Sequence, residues 1–322
     1  MGKITVLRAG PLTTVQDLGR TNQRAAGVAI GGALDLHAAR VANLLVGNAE
    51  TAALLEIGLG KMRICFDDER ILAWCGSEFR LRIADAELPP GRAAFVHPGE
   101  ELEIDPPQHG CRAWIALSGG IDLPLVLGSR ATDLRAGFGG FEGRALRDGD
   151  ELPLGIAPNP STTSRVASWG APAEWARTAS RHPILRVVRG SEWPDFTAAA
   201  QSAFFQESFT VSTKTDRMGA RLEGAELRRM KNVEMLSEAV APGTIQVAND
   251  GQPIVLLGDC QTIGGYPKIA HVITVDLPVA VQLRPNDTVR FHEITLTQAH
   301  DLFIARENNL ERFRLGLRLR AS

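Results

Sequence analysis

Turn-forming residues interrupt the apolar segments of this chain at short intervals. The 322 residues include 32 glycines and 18 prolines, which divide the sequence into many short apolar or alternating runs. Short strands separated by tight turns are typical of β-sandwiches and β-barrels. The sequence therefore predicts a mainly β protein with a few helices.

A pattern of tight turn, acidic residue and alternating strand occurs three times. The copies are PGEELEI at 98–104, DGDELPL at 148–154 and PNDTVRF at 285–291. Fainter similarities relate residues 17–20 to 216–221 and residues 118–121 to 263–266. These repeats indicate tandem β units. Duplication with insertion is a hypothesis, because the intervals between paired motifs differ, and it would place a ligand between two related domains.

Two segments carry the signals of specific helices. Asp35 can cap a helix that ends at Gly47 and Asn48, with apolar residues on one face between them. A second amphipathic helix is predicted to start near Thr295 or Thr297 and to finish among arginines that suit its dipole. We expect this last helix to pack against the rest of the protein.

Composition changes between residues 157 and 183, where a polar, turn-rich stretch replaces the strand pattern. We therefore predict an N-terminal domain at 1–156, a linker at 157–183, and a C-terminal domain at 184–322 that ends in a helix. A chain of this length favours two domains over one.

Charge and cysteine content exclude several classes of protein. A formal net charge of -2 argues against nucleic-acid or membrane-surface partners held by bulk charge. The four cysteines form no Cys-x-x-Cys pair and the seven histidines show no ligand spacing, so we expect neither a disulfide framework nor a metal site. The N-terminus resembles no secretion signal, and no apolar run is long enough to cross a bilayer. We expect a cytoplasmic protein.

The richest polar cluster follows the apolar run 254–257. Residues 259–269, DCQTIGGYPKI, place an acid, an amide, a hydroxyl, two glycines and the only tyrosine of the chain at the end of a predicted strand. Such a cluster builds a polar pocket in many β proteins. We predict that three of its residues are catalytic and that three more bind substrate. The catalytic set is Asp259, Gln261 and Tyr266, and the binding set is Thr262, Gly264 and Gly265.

Two other interpretations of this cluster stay open. It can be a polar turn that closes a barrel and binds nothing. Cys260 lies inside it, but no histidine is close in sequence to activate a thiol, so we do not assign it as a nucleophile.

Acidic and basic residues elsewhere add substrate-binding candidates. They are Asp17, Arg20, Arg144, Asp216 and Arg217. An arginine fork can grip a carboxylate, and an aspartate can accept an amide proton. The alternative is a set of structural ion pairs that fix loops. The glycine-rich segment 128–144 contains no nucleotide-binding motif, so it is either a basic flap over an anion or a tight connection between strands.

Several motifs together resemble the carboxyltransferase-domain family. They are TVQDLGR at 14–20, NLLVGN at 43–48, the segment 128–144, DRMG at 216–219, GTIQV at 243–247 and the run 259–269. The family includes the C-type subunit of bacterial 5-oxoprolinase, proteins labelled allophanate hydrolase subunit 2, and the carboxyltransferase part of urea carboxylase. The resemblance extends over nearly the whole chain.

The resemblance implies two tandem cyclophilin-like β-barrel domains with a cleft between them. It implies a protein that acts only with A-type and B-type partners, in the ATP-dependent hydrolysis of 5-oxoproline to glutamate. The alternatives that it offers are biotin-dependent carboxyl transfer to urea or a related amide, and a regulator that antagonises a histidine-kinase inhibitor. No Met-Lys-Met-like attachment sequence is present, so any biotin would be carried by a partner chain.

Overall fold

The computed structural model describes residues 2–157, 165–176, 182–231 and 235–321. β-Strands dominate these residues, and five α-helices accompany them, which confirms the predicted mainly β class. The chain divides into two compact units. The first contains Met1–Arg20, Gly31–Ala179 and Leu310–Ser322, and the second contains Thr21–Ile30 and Ser180–Asn309.

Eleven strands of the described chain belong to the first unit. They are β1 (Lys3–Arg8), β2 (Leu12–Gln16), β3 (Leu54–Gly58), β4 (Met62–Phe66), β5 (Arg70–Gly76), β6 (Arg80–Ile83), β7 (Ala86–Leu88), β8 (Ala93–Val96), β9 (Glu101–Asp105), β10 (Arg112–Leu117) and β11 (Glu151–Pro153). Their hydrogen bonds define two sheets, in the orders β11-β1-β4-β9-β6-β7 and β2-β3-β10-β5-β8. Apolar side chains from both sheets, such as Ile64 and Trp74, form one core.

The second unit is built on a closed barrel of seven strands, in the order β12-β19-β16-β17-β14-β13-β20. The strands of this unit are β12 (Ile184–Arg189), β13 (Phe209–Val211), β14 (Gly219–Glu223), β15 (Glu238–Ala239), β16 (Thr244–Val247), β17 (Pro253–Leu256), β18 (Ile263–Gly264), β19 (Lys268–Val272) and β20 (Thr288–Glu293). The short strands β15 and β18 pair with each other as a separate ribbon. This ribbon carries part of the polar cluster predicted from the sequence.

Both predicted helices are present. The remaining α-helices are short; the five are α1 (Leu36–Leu45), α2 (Ala173–Ala176), α3 (Ala198–Gln206), α4 (Leu277–Ala280) and α5 (Leu296–Ala321). The Asp35 carboxylate accepts a hydrogen bond from the Ala38 N–H at 2.8 Å and caps α1. Thr295 and Gln298 form a reciprocal capping box at the start of α5. In α5, Leu310 is fully buried whereas Phe303 is 41% exposed, so only part of the predicted apolar face packs.

The three repeated turns share one geometry. A residue in each turn has positive φ, at Gly99 (80°), Gly149 (90°) and Asn286 (72°). In each copy the following acid accepts a hydrogen bond from the backbone N–H three residues before it, at 2.7–2.8 Å. A strand then begins at once, as β9, β11 or β20. The repeat recognised in the sequence is therefore a real structural repeat.

The compact units are not two continuous stretches of chain. Residues 21–30 belong to the second unit and the end of α5 belongs to the first, because that is where their contacts lie. Of the expected linker 157–183, residues 158–164 and 177–181 lie outside the described residues. The part between them is attached to the first unit, since the Ala167 N–H donates to the Ala93 carbonyl at 2.8 Å and Arg165 binds Glu100.

Candidate functional site

The polar cluster of the second unit lies where β17 ends. Beyond this strand the chain continues to pair with the segment before β14, because the Leu257 N–H donates to the Met218 carbonyl and the Asp259 N–H donates to the Arg217 carbonyl. This pairing places residue 259 beside residue 217. Two motifs that are about forty residues apart in sequence thus meet at one point of the fold.

Arg217 and Asp259 form a buried two-pronged ion pair. Arg217 Nε lies 2.7 Å from Asp259 Oδ2, and Nη2 lies 3.1 Å from Oδ1. The side chains are only 6% and 13% exposed. Each carboxylate oxygen can accept more than one hydrogen bond. The pair can therefore present an oriented, charged acceptor to an N–H group.

An amide chain adjoins the ribbon of β15 and β18. The buried Gln246 donates from Nε2 to the Tyr266 carbonyl at 3.1 Å, and Gln261 Nε2 lies 3.5 Å from Gln246 Oε1. A Cβ at Gly264 would lie 2.8 Å from Gln246 Nε2, so a side chain at this position would require the Gln246 amide to shift. The glycine of the predicted motif thus lies directly against the Gln246 amide.

Lys268 is buried and holds two glutamates. Its Nζ lies 2.6 Å from Glu238 and 3.4 Å from Glu192, and its backbone N–H donates to Glu192 at 2.7 Å. Burial works against the charged lysine, but the hydrogen bonds and charges of both glutamates outweigh it, so the pKa of Lys268 is raised. The lysine ties β19 to β15 and fixes the ribbon.

His271 lies close to this lysine on β19. Its Nδ1 is 3.3 Å from the Thr244 hydroxyl. Burial, assisted by the positive charge of Lys268, lowers the pKa of His271. The imidazole is therefore held in its neutral form and is not an obvious source of protons.

Cys260 is a buried thiol, 3% exposed, that packs against Val240 and Leu256. Burial raises its pKa to about 11; the positive charge of Arg24 opposes this shift and the negative charge of Asp259 adds to it. Because the thiolate is the reactive form, this cysteine is a poor nucleophile at neutral pH.

The other predicted residues of the second unit have more varied positions. Asp216 accepts hydrogen bonds from the backbone N–H groups of Met218 and Gly219, at 2.8 and 3.1 Å, and so shapes the turn before β14. The Thr262 carbonyl accepts from the Val240 N–H at 3.1 Å. Tyr266 is 41% exposed, which leaves it accessible to a ligand.

Asp17 and Arg20 hold one loop of the first unit. Asp17 accepts hydrogen bonds from the Ser129 hydroxyl and the Arg130 N–H, both at 2.6 Å. Arg20 donates to the carbonyls of Val126 and Ala131. Both side chains are buried, and their bonds fix the start of the glycine-rich segment.

Arg144 is the third predicted arginine and is also engaged. Two of its nitrogens lie 2.8 and 3.0 Å from the Asp150 carboxylate, and Glu142 binds it as well. These hydrogen bonds raise the pKa of Arg144 and lower the pKa of Asp150. Its guanidinium also lies 5.2 Å from the Phe141 ring. The glycine-rich segment is therefore tied down at both ends.

The structure pairs Arg217 with Asp259 and connects Gln261 to the Tyr266 carbonyl through Gln246, all within the second unit. Sequence reasoning missed Gln246, Lys268 and the two glutamates Glu192 and Glu238. Gln246 lies in the recognised motif 243–247, and Lys268 lies in the run 259–269, so their locations carried a signal. Their positions among buried strand neighbours made them look like ordinary strand residues.

The described residues offer neither a membrane helix nor a metal cluster. Every helix in the described ranges is too short or too polar to span a bilayer. No group of three or more His, Cys, Asp or Glu side chains in this part of the chain is arranged to hold a metal ion.

Comparison with known proteins identifies a family match and similar proteins. The family model of the carboxyltransferase domain, subdomains A and B, matches residues 26–293. The chain is 39% identical to the C-type subunit of 5-oxoprolinase from Escherichia coli (strain K12), over 92% of this chain and 93% of that protein. It is 33% identical to the C-type subunit of 5-oxoprolinase from Haemophilus influenzae, over 97% of each.

A solved structure shares the fold as well. The crystal structure of the K. lactis urea amidolyase matches with a TM-score of 0.89 and 28% identity, over 97% of this chain. The chain spans only 20% of that much longer protein. The likeness therefore concerns one part of the urea amidolyase.

Proposed function

The chain belongs to the carboxyltransferase-domain family, and from this we propose that it is the C-type subunit of a 5-oxoprolinase. The observation that carries the proposal is the 39% identity to the C-type subunit of the Escherichia coli 5-oxoprolinase, over nearly the full length of both proteins. The proposed complex contains A-type and B-type partners, works in the cytoplasm and uses ATP to open 5-oxoproline to glutamate.

We assign the lactam-handling role to the cluster of the second unit. In the reaction the lactam C–N bond breaks, a water oxygen bonds to the carbonyl carbon, and the nitrogen takes up a proton. A hydrogen-bond donor at the carbonyl oxygen stabilises the negative charge that develops there. Gln261 and Tyr266 supply such donors, and Asp259, oriented by Arg217, supplies an acceptor for the ring N–H. Thr262, Gly264 and Gly265 belong to the same segment, and we assign substrate binding to them.

The remaining predicted residues hold turns and loops in place. We propose that Asp216 shapes the turn that presents Arg217, because it holds two N–H groups of that turn. We also propose a part in substrate binding for Asp17, Arg20 and Arg144, which fix loops of the first unit.

The test is reconstitution with purified A-type and B-type subunits. Glutamate formed from 5-oxoproline and ATP is measured with and without this chain. We expect turnover to require the chain. Undiminished turnover in its absence would reject the proposal.

A second candidate, carboxyl transfer from biotin to urea or a related amide, is favoured by the fold match to the urea amidolyase. Both reactions act on a planar amide, so the donors and the acceptor described above suit either. A requirement for bicarbonate distinguishes the two reactions. Product formation that depends on bicarbonate and on a biotinylated partner would favour carboxyl transfer, whereas lactam opening needs neither.

A further inference from the structure

The proposed substrate carries a carboxylate, yet the arginines expected to bind it already form ion pairs or hydrogen bonds with other groups of the protein. Arg217 is bound by Asp259, and Arg144 is bound by Asp150 and Glu142. Arg20 is 2% exposed and donates to two carbonyls. A carboxylate needs a cation with N–H groups to offer at an accessible position. None of these three arginines meets that need well.

Arg24 differs from these three arginines in its position and in its hydrogen bonds. It belongs to the second unit, within the segment Thr21–Ile30, and it begins the short 3-10 turn Arg24–Ala26. Its Nη2 donates to the Val240 carbonyl. Among the described residues this is the guanidinium's one hydrogen bond, and no acid there forms an ion pair with it. An arginine has five N–H donors, so most of those on Arg24 form no hydrogen bond within the described part of the chain.

The backbone around Arg24 fixes its position. The Gly27 N–H donates to the Arg24 carbonyl at 2.9 Å, and the Ala26 N–H donates to the Gln23 carbonyl at 3.0 Å. Gly27 has a φ of 80°, which ends the turn in the left-handed region. Arg24 is half-buried. It is thus placed by a defined turn and is still open to a ligand.

Its contacts lead directly to the candidate site. Val240, which accepts from Arg24, donates its own N–H to the Thr262 carbonyl at 3.1 Å. The charges of both Arg24 and Asp259 act on the pKa of the same thiol, Cys260, in opposite directions. Val240 also packs against Cys260, the residue after Asp259, so Arg24 and Asp259 approach the same part of the second unit, where they offer a cation and an acceptor.

This arrangement matches the chemistry of one molecule. In 5-oxoproline the carboxylate is attached to the carbon next to the ring nitrogen. A site that accepts the ring N–H therefore requires a cation close to the acceptor. Urea has amide groups but no carboxylate, so a cation at this place would bring no gain in binding it.

We propose that Arg24 binds the carboxylate of 5-oxoproline while Asp259 accepts the ring N–H, so that Arg24 determines specificity for an amide bearing an adjacent carboxylate. This inference depends on the proposed 5-oxoprolinase function and adds the residue that recognises the substrate. It also assigns a role to the segment Thr21–Ile30 as part of the second unit.

The test uses the reconstituted complex with Arg24→Gln and two comparison variants. The KM for 5-oxoproline is measured together with the inhibition constant of 2-pyrrolidinone, which has the lactam but no carboxylate. We expect Arg24→Gln to raise the KM about 10- to 100-fold, the range of a charge-assisted hydrogen-bonded contact, and to leave inhibition by 2-pyrrolidinone unchanged. Arg24→Lys keeps the charge but loses the fork, and it should have an intermediate KM.

The matched control is Arg290→Gln. Arg290 is an exposed arginine of the same unit whose Nη2 also donates to a backbone carbonyl, that of Gln206 at 3.2 Å. We expect wild-type kinetics from it. An unchanged KM in Arg24→Gln, or equal weakening of both compounds, would overturn the inference while leaving the proposed function intact. A wild-type complex without 5-oxoprolinase activity would reject the proposed function itself.

Discussion

At the scale of single residues, the charged groups of the candidate site are fixed by one another. Asp259 is held by Arg217, and Lys268 is held by Glu192 and Glu238. Burying a charge is costly unless it is paired and hydrogen-bonded, and each of these charges meets that condition. Their side chains are therefore oriented before a substrate arrives, which reduces the entropy that binding must spend on ordering them.

The Arg217 and Asp259 pair predicts strong coupling in a double-mutant cycle. Arg217→Met and Asp259→Asn should each lower the free energy of unfolding by about 3 kcal/mol, because each leaves a buried partner uncompensated. The double variant should lose less than the sum of the two. The free energy of unfolding of the wild type, the two single variants and the double variant is measured by urea denaturation.

A surface pair serves as the control for this cycle. Arg228 and Glu226 lie 2.7 Å apart with side chains 72% and 51% exposed. Arg228→Met should leave the unfolding midpoint unchanged, because exposed pairs are screened by solvent. Strictly additive losses at Arg217 and Asp259 would contradict the buried pairing.

The lowered pKa of His271 predicts a dependence of stability on pH. An unfolded histidine has a pKa near 6.5, and the folded protein binds this proton less readily. The unfolded state therefore takes up more protons as the pH falls. Stability from this residue is present above about pH 6.5 and is lost as the pH falls through the lower folded value.

His271→Asn should remove that part of the pH dependence. Thermal unfolding between about pH 7.5 and pH 5 should show a smaller decline in the variant than in the wild type, because the titrating group is gone. His300→Asn, at an exposed position of α5, is the control and should retain the wild-type decline. Parallel wild-type and His271→Asn profiles would refute the assignment.

At the scale of elements, the same turn starts three strands. Its positive φ is supplied by glycine twice and by asparagine once, the residue types that tolerate the left-handed region best. The acid that follows closes the turn by accepting a backbone N–H. Because this chemistry is local, the repeat can be recognised in the sequence alone.

Gly99→Ala tests whether the positive φ is the only reason that this position requires a glycine. A Cβ at this position would have nothing within 4 Å, so the expected loss of about 1 kcal/mol comes entirely from the left-handed backbone. Gly316→Ala is the matched control, because it also meets open space but lies inside α5. It should raise the free energy of unfolding by up to about 1 kcal/mol. Urea unfolding that shows the same sign for both variants would disprove the explanation.

The elements and part of the site were predictable for identifiable reasons. Asp35 marked α1 and Thr295 marked α5, because capping depends on residues close in sequence. The polar run after β17 was also predictable, because its residues are consecutive in sequence. The pairing of Arg217 with Asp259 was not, because it depends on the alignment of strand ends from distant parts of the chain. Arg24 was missed for the same reason, since its partner Val240 is over two hundred residues away.

At the scale of the whole molecule, the chain matches the C-type subunits of two 5-oxoprolinases over nearly all of their length. It covers 93% and 97% of these proteins, whereas it covers 17% of the urea amidolyase of Saccharomyces cerevisiae. Both of these similar proteins are named as one subunit of a 5-oxoprolinase. We therefore propose that this protein is required, in fixed proportion, for a partner-dependent lactam hydrolysis.

A titration of activity measures this most directly. The A-type and B-type subunits are kept at constant concentration with 5-oxoproline and ATP, and this chain is added in increasing amounts while glutamate is measured. We expect a rate that rises from near zero and reaches a plateau at a defined molar ratio. A rate that is substantial without the chain, or that does not respond to its addition, would contradict the proposed requirement for this subunit.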